Sequence, residues 1–148
     1  MEYIYNNERI GKSLLKGGLI TEDQLRQALE INKEKGGFLG KVLVEKEFLT
    51  EEAMLSHFLE VHAVPYAPPA DFPINPQSKK FIAEETARKY LLLPVDHIGF
   101  RLTVICPGPL EVGVLGKALE ACKGVPVIYF LGMMSDIEVQ IEKIYKEK

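Results

Sequence analysis

The chain has 148 residues, 47% of them hydrophobic and 26% charged, with a formal net charge of −3. That length holds one ordinary domain or two small ones, with enough apolar residue for a core. The acidic balance gives nonspecific nucleic-acid binding no electrostatic support, no apolar run reaches the roughly 18 residues of a membrane span, and the start, MEYIYNNERIGK, lacks the basic-then-apolar order of a secretory signal.

Up to residue 64 the pattern is helical. Short helices are expected around residues 8–16 and 38–46. Thr21 opens TEDQLRQALEINKEKGG as an N-cap followed by acids in the first turn. Leu25, Ala28 and Leu29 share one face, and Gly36 and Gly37 end the helix. Thr50 opens TEEAMLSHFLEVHA in the same way. Its apolar set, Met54, Leu55, Phe58, Leu59 and Val61, is wider than one stripe, so this helix is expected to be the more buried.

The composition then changes. VPYAPPADFPINP carries five prolines between residues 65 and 76 and reads as a linker or a wrapped connection. QSKKFIAEETARKYL reads as helix. LLPVDHIGFRLTVIC reads as two strands around a turn near His97–Gly99, with Leu102, Val104 and Cys106 alternating on one face. GPLEVGVLGKALEACKG is expected as helix, VPVIYFLG as a short apolar strand, and SDIEVQIEKIYKEK as a helix capped by Ser135. The expected fold class is α+β: a helical tandem-repeat subdomain over residues 1–66, a Pro-rich linker over 67–74, and a small α+β subdomain over 75–148 in the order α-β-β-α-β-α. Cys106 and Cys122 stand far apart with no Cys-x-x-Cys pair, and both are expected to be reduced and mostly buried in a cytoplasmic protein.

A shift of 29 residues lays RIGKSLLKGGLITEDQLRQALEIN, residues 9–32, on FLGKVLVEKEFLTEEAMLSHFLEV, residues 38–61. Gly11 meets Gly40, Lys12 meets Lys41, Leu14 meets Leu43, Thr21 meets Thr50 and Glu22 meets Glu51. The unit is a short helix, a turn and a capped longer helix, made twice. That repeat bears on Gly11-Lys12-Ser13, which matches the last three letters of a phosphate-binding loop. Such a loop needs a glycine five residues earlier, where Asn6 stands, and a buried strand before it. The second copy reads Gly40-Lys41-Val42, without a hydroxyl for magnesium. A glycine in each copy fits a close backbone approach better.

Residues 9–32 resemble the first half of the tandem motif in the N-terminal domains of type II secretion and type IV pilus assembly ATPases. The pattern is Arg-Leu-Gly, two aliphatics, Gly, two aliphatics, two spaced leucines and a closing Gln, and the second copy ends near Pro65. IAEETARKYLLLPV and RLTVICPGP are similar to the second N-terminal subdomain of the same family, so the likeness covers residues 8 to about 146. The resemblance implies docking of a hexameric motor onto the cytoplasmic part of an inner-membrane platform protein. In a subset of the family it implies binding of cyclic di-GMP.

The residues that the resemblance would assign to cyclic di-GMP are Arg9, Ile10, Gly11, Leu14, Leu15, Gly18, Leu25, Leu29, Asn32, Leu39 and Gly40. An arginine can stack on guanine, a glycine lets backbone donors approach phosphate, and a side-chain amide can read a guanine edge. Ile10 replaces leucine and Asn32 replaces glutamine in the first copy. The second copy departs further, with Phe38 for arginine, Glu47 for glycine and Val61 for glutamine.

His57 and His62, five apart, point to different helix faces, and no ligand joins them at metal spacing. Glu51-Glu52 and Glu84-Glu85 fall in first turns, where they offset the helix dipole. The apolar runs KYLLLPV and VPVIYFLGMM read as core strands, with residues 130–134 a candidate partner-binding edge. The expectation is a non-enzymatic regulatory and docking module without catalytic, cofactor or metal residues. The motor core is absent from the chain and would be supplied in cis or in trans. The partner would be a protein at the inner-membrane platform, with no nucleic acid and no direct membrane insertion. The module would be cytoplasmic and peripheral to the inner membrane through that partner. The alternative is a cyclic di-GMP sensor using the tandem motif.

Overall fold

The structure is a computed structural model that describes residues 4–98, 101–111 and 126–146. Four helices come first: α1 (Asn7–Lys16), α2 (Glu22–Lys35), α3 (Leu39–Glu45) and α4 (Glu51–Val61). A 3₁₀ turn (Pro76–Phe81) and α5 (Glu84–Tyr90) follow. Strands β1 (Leu93–Ile98), β2 (Arg101–Cys106) and β3 (Val127–Leu131) then precede α6 (Met134–Lys146). The fold class is α+β, as expected. The helix expected over residues 108–124 lies mostly outside the described residues, as do Cys122 and the turn glycine, Gly99.

Side-chain caps start three of the helices. Asn6 Oδ1 accepts from Arg9 N, and Thr50 Oγ1 accepts from Ala53 N at 3.2 Å. At Thr21 the box is reciprocal: its Oγ1 accepts from Gln24 N at 3.1 Å, and its own N donates to Gln24 Oε1 at 3.0 Å. Two expectations are corrected. Ser135 is not the N-cap of the last helix but lies inside its first turn, and a partner from another helix caps it, as described below. QSKKFIAEETARKYL is not one helix, because Ile82 and Ala83 are extended between the 3₁₀ turn and α5. That break drops Ile82 into the core at 1% exposure and lets its carbonyl accept from Tyr145 Oη at 2.6 Å.

The sheet runs in the order β1-β2-β3, antiparallel between β1 and β2 and parallel between β2 and β3. Its parallel register sets Leu102 beside Val127 and Cys106 beside Leu131. The Pro-rich stretch lies along this sheet. Leu131 N donates to Pro65 O at 3.0 Å and Ala67 N donates to Leu131 O at 2.9 Å, which closes the β3 edge there. Phe72 then packs on Phe130 with ring centroids 5.6 Å apart, and Asn75 N donates to Val95 O at 2.7 Å.

One apolar cluster runs through both halves of the chain, from Tyr5, Leu14, Leu43 and Phe58 to Leu92, Val104 and Ile137. Polar contacts cross the same seam. Tyr5 Oη donates to Tyr90 O at 2.6 Å, and Lys41 Nζ pairs with Glu138 Oε2 at 3.2 Å. Cys106 is buried and its thiol donates to Gly108 O at 3.1 Å; burial pushes its pKa well above the thiol range. Among the described residues no helix is long and apolar enough to cross a membrane.

Candidate functional site

The two repeats are alike in backbone detail. After α1, Gly17 N donates to Ser13 O, Gly18 N to Leu15 O and Leu19 N to Leu14 O, each at 3.0 Å. After α3, Lys46 N donates to Val42 O, Glu47 N to Val44 O and Phe48 N to Leu43 O, again at 3.0 Å. Each of the three bonds recurs 29 residues on. Gly18 (φ 77) and Glu47 (φ 60) take the same left-handed corner. The buried glycines match as well. A Cβ on Gly11 would strike Leu25 of α2, and one on Gly40 would strike Met54 of α4, the residue equivalent to Leu25. In each copy the glycine lets the short helix close on the long one.

The candidate residues divide by place. Ile10, Gly11, Leu14, Leu25, Leu39 and Gly40 are buried, with Leu14 and Leu39 at 0% exposure. Leu15 and Leu29 are half-buried. Gly18 is exposed, and nothing lies within 4 Å of where its Cβ would stand. Arg9 is exposed, and its Nη1 pairs with Glu111 Oε1 at 3.3 Å, a surface pair worth about 0–1 kcal/mol. Arg9 lies in the first turn of α1, whereas Gly18 lies two residues past its last residue, so the two fall toward opposite ends of the helix. Asn32 is buried and engaged: its Nδ2 donates to Gly36 O at 3.1 Å and Gly37 O at 3.3 Å, and its Oδ1 accepts from Asn7 Nδ2 at 3.0 Å. Asn7 completes this knot by donating to Gly37 O and accepting from Leu39 N, both at 2.9 Å.

Phe38 takes the place that the repeat gives to an arginine in its first copy. It is 2% exposed, and its ring packs at a tilt on Tyr5 with centroids 4.7 Å apart. The ring edge lodges against Gly40 and Gly108, each of which would clash with it if it carried a Cβ. Gly11-Lys12-Ser13 lies inside α1 rather than in a loop. Ser13 Oγ is 2.8 Å from His57 Nε2, a contact that ties α1 to α4. Burial first, and the neighbouring His62 second, hold the His57 imidazole below its ordinary pKa, while Glu60 acts the other way.

Three features have no signal in the one-dimensional pattern. Glu51, expected to offset its own helix dipole, reaches across to α6, where its Oε1 accepts from Ser135 N at 3.1 Å and from Ser135 Oγ at 2.7 Å. Asn7 acts over 25 to 32 residues of separation. An open depression of about 710 Å³ lies at the corner of the second copy, beside that of the first, lined by Leu19, Val44, Phe48 and Leu49 and rimmed by Glu47, Glu51 and Glu52.

Comparison with known proteins gives the family. The sequence profile of the MshEN domain matches residues 62–148, a span that holds none of the candidate cyclic di-GMP residues. The type IV pilus assembly ATPase PilB of Myxococcus xanthus is 31% identical over 141 residues, which is 95% of this chain and 25% of that protein. PilB of Thermus thermophilus is 31% identical over 88 residues, 60% of this chain and 10% of that protein. The chain therefore spans about a quarter of the length of one curated relative and a tenth of the other. Two solved structures share the fold. MshE with cyclic di-GMP aligns at a TM-score of 0.61 and 20% identity, covering 92% of this chain and 98% of that one. The N-terminal domain of XpsE aligns at 0.66 and 20% identity, covering 97% and 98%. On the profile match, which covers more than half of the chain, the chain belongs to the MshEN domain family.

Proposed function

We propose that the chain is a non-catalytic docking module that holds a secretion or pilus motor ATPase against a cytoplasmic part of its inner-membrane platform protein. The helical repeat of residues 1–66 and the α+β unit of residues 75–148, joined through 67–74, act together in this role. The motor is attached in cis or recruited in trans, and the module is peripheral to the membrane through its partner. The observation that carries this reading is Phe38. A ligand with two equal halves, such as cyclic di-GMP, suits two equal half-sites. The second copy spends its arginine position on a buried core ring. The repeat then serves as a scaffold for a protein surface, which needs on the order of 1,000 Å² to be specific.

Calorimetry of the chain against the cytoplasmic segment of the platform protein from the same organism tests this. Saturable 1:1 binding is expected, and a flat titration would reject docking. A second reading, a cyclic di-GMP sensor, draws support from the likeness of fold to MshE solved with that ligand and from the exposure of Arg9. Asn32 weighs against it, because its amide is committed to Asn7 and the Gly36–Gly37 turn.

A further inference from the structure

The depression at the second copy's corner has an apolar floor and a charged rim. Leu19 comes from the first corner, and Val44, Phe48 and Leu49 come from the second. Between residues 45 and 52 the sequence holds four glutamates and one lysine. Glu51 already accepts from Ser135, whereas Glu47 and Glu52 are exposed.

Glu47 is the telling residue. It sits at φ 60, a conformation that L side chains rarely adopt, where the first copy uses Gly18 at φ 77. The corner's three backbone hydrogen bonds are the same in both copies, so the backbone gains nothing from a side chain there. What the glutamate adds is a carboxylate on the rim.

We propose that this depression seats a basic amphipathic segment of the platform protein. An aliphatic or aromatic side chain would enter between Leu19, Val44 and Phe48, with lysine or arginine of the same segment paired to Glu47 and Glu52. The inference rests on the docking reading above and names the partner's chemistry. Rim charges of this kind steer association and make it salt-dependent, while the apolar floor sets the dissociation rate.

The test uses the whole chain and two labelled synthetic helices. One carries leucine on one face and lysine on the other; its counterpart has every lysine replaced by glutamate. Fluorescence anisotropy is expected to give binding of the basic helix only. The double variant Glu47→Gly, Glu52→Gln should weaken that binding about tenfold. Glu34→Gln on the exposed face of α2 should change it less than about twofold. Amide chemical-shift changes should centre on Leu19, Val44 and Phe48. Equal loss with Glu34→Gln, or shift changes centred elsewhere, overturns the proposal. Titrating the double variant with the platform segment separates the two claims. Wild-type affinity there refutes the depression and leaves docking standing. Failure of the unmutated chain to bind the platform segment refutes docking, and this proposal with it.

Discussion

Replacing Phe38 by alanine tests whether that ring holds the helical repeat closed. Phe38 is 2% exposed and packs on Tyr5, with Gly40 and Gly108 against its edge. Truncating a core phenylalanine costs about 3–5 kcal/mol, and the cost rises when neighbours cannot move into the void. Two of the neighbours here are glycines with no side chain to move, so the expected loss is in the upper half of that range, about 4 kcal/mol. A domain of this size has about 5–15 kcal/mol in total, so the variant should fold but unfold early. With a urea slope of about 2 kcal/mol/M, the midpoint should drop by about 2 M. Urea titration followed by far-UV circular dichroism and tyrosine emission reads this, since the chain has no tryptophan. A loss below about 1 kcal/mol would refute the view of Phe38 as a core plug.

Four further outcomes follow from the same packing. Gly40→Ala should lose about 1–3 kcal/mol in the same titration, because its Cβ meets the ring of Phe38, and Gly11→Ala should lose less, because Leu25 can swing its methyl aside. Glu47→Gly should not destabilise and should gain up to about 1 kcal/mol, whereas Gly18→Ala should lose about that much, since both corners are left-handed. Asn32→Ala should cost about 1–3 kcal/mol by removing the side-chain donor to Gly36 O and one of the bonds to Asn7, although Asn7 still holds Gly37 O, measured as a fall in thermal midpoint. Because the fold holds His57 below its ordinary pKa, the unfolded chain takes up the proton first as pH falls. Stability from this group is therefore complete above about pH 6.5 and declines as pH drops from there towards the lowered folded value. His57→Gln should flatten that slope in thermal melts across the same range.

Much of the helical half was legible in the sequence because its information is local. Thr21 and Thr50 mark helix starts through bonds to residues three positions on, and the 29-residue shift places Gly11 with Gly40 before any coordinates. What escaped is carried by contacts between distant residues. Glu51 and Ser135 are 84 residues apart, so neither letter marks the other, and the last helix begins earlier than its serine suggests. The helix expected across Ile82 and Ala83 breaks because burying Ile82 outweighs local helical continuity. For the candidate site, the family resemblance singled out Arg9 and Asn32, and the 29-residue shift set Phe38 opposite Arg9. Neither revealed that Asn32 is tied to Asn7 or that Phe38 fills a slot between two glycines. The depression at Glu47 needs the corner's three-dimensional form, which a substitution of glycine by glutamate alone does not convey.

The most direct measurement is calorimetric titration of the chain with cyclic di-GMP. With Phe38 in the second arginine position and Asn32 already bonded, no saturable heat is expected. Submicromolar binding that Arg9→Ala abolishes would contradict the reading of the repeat as a docking scaffold.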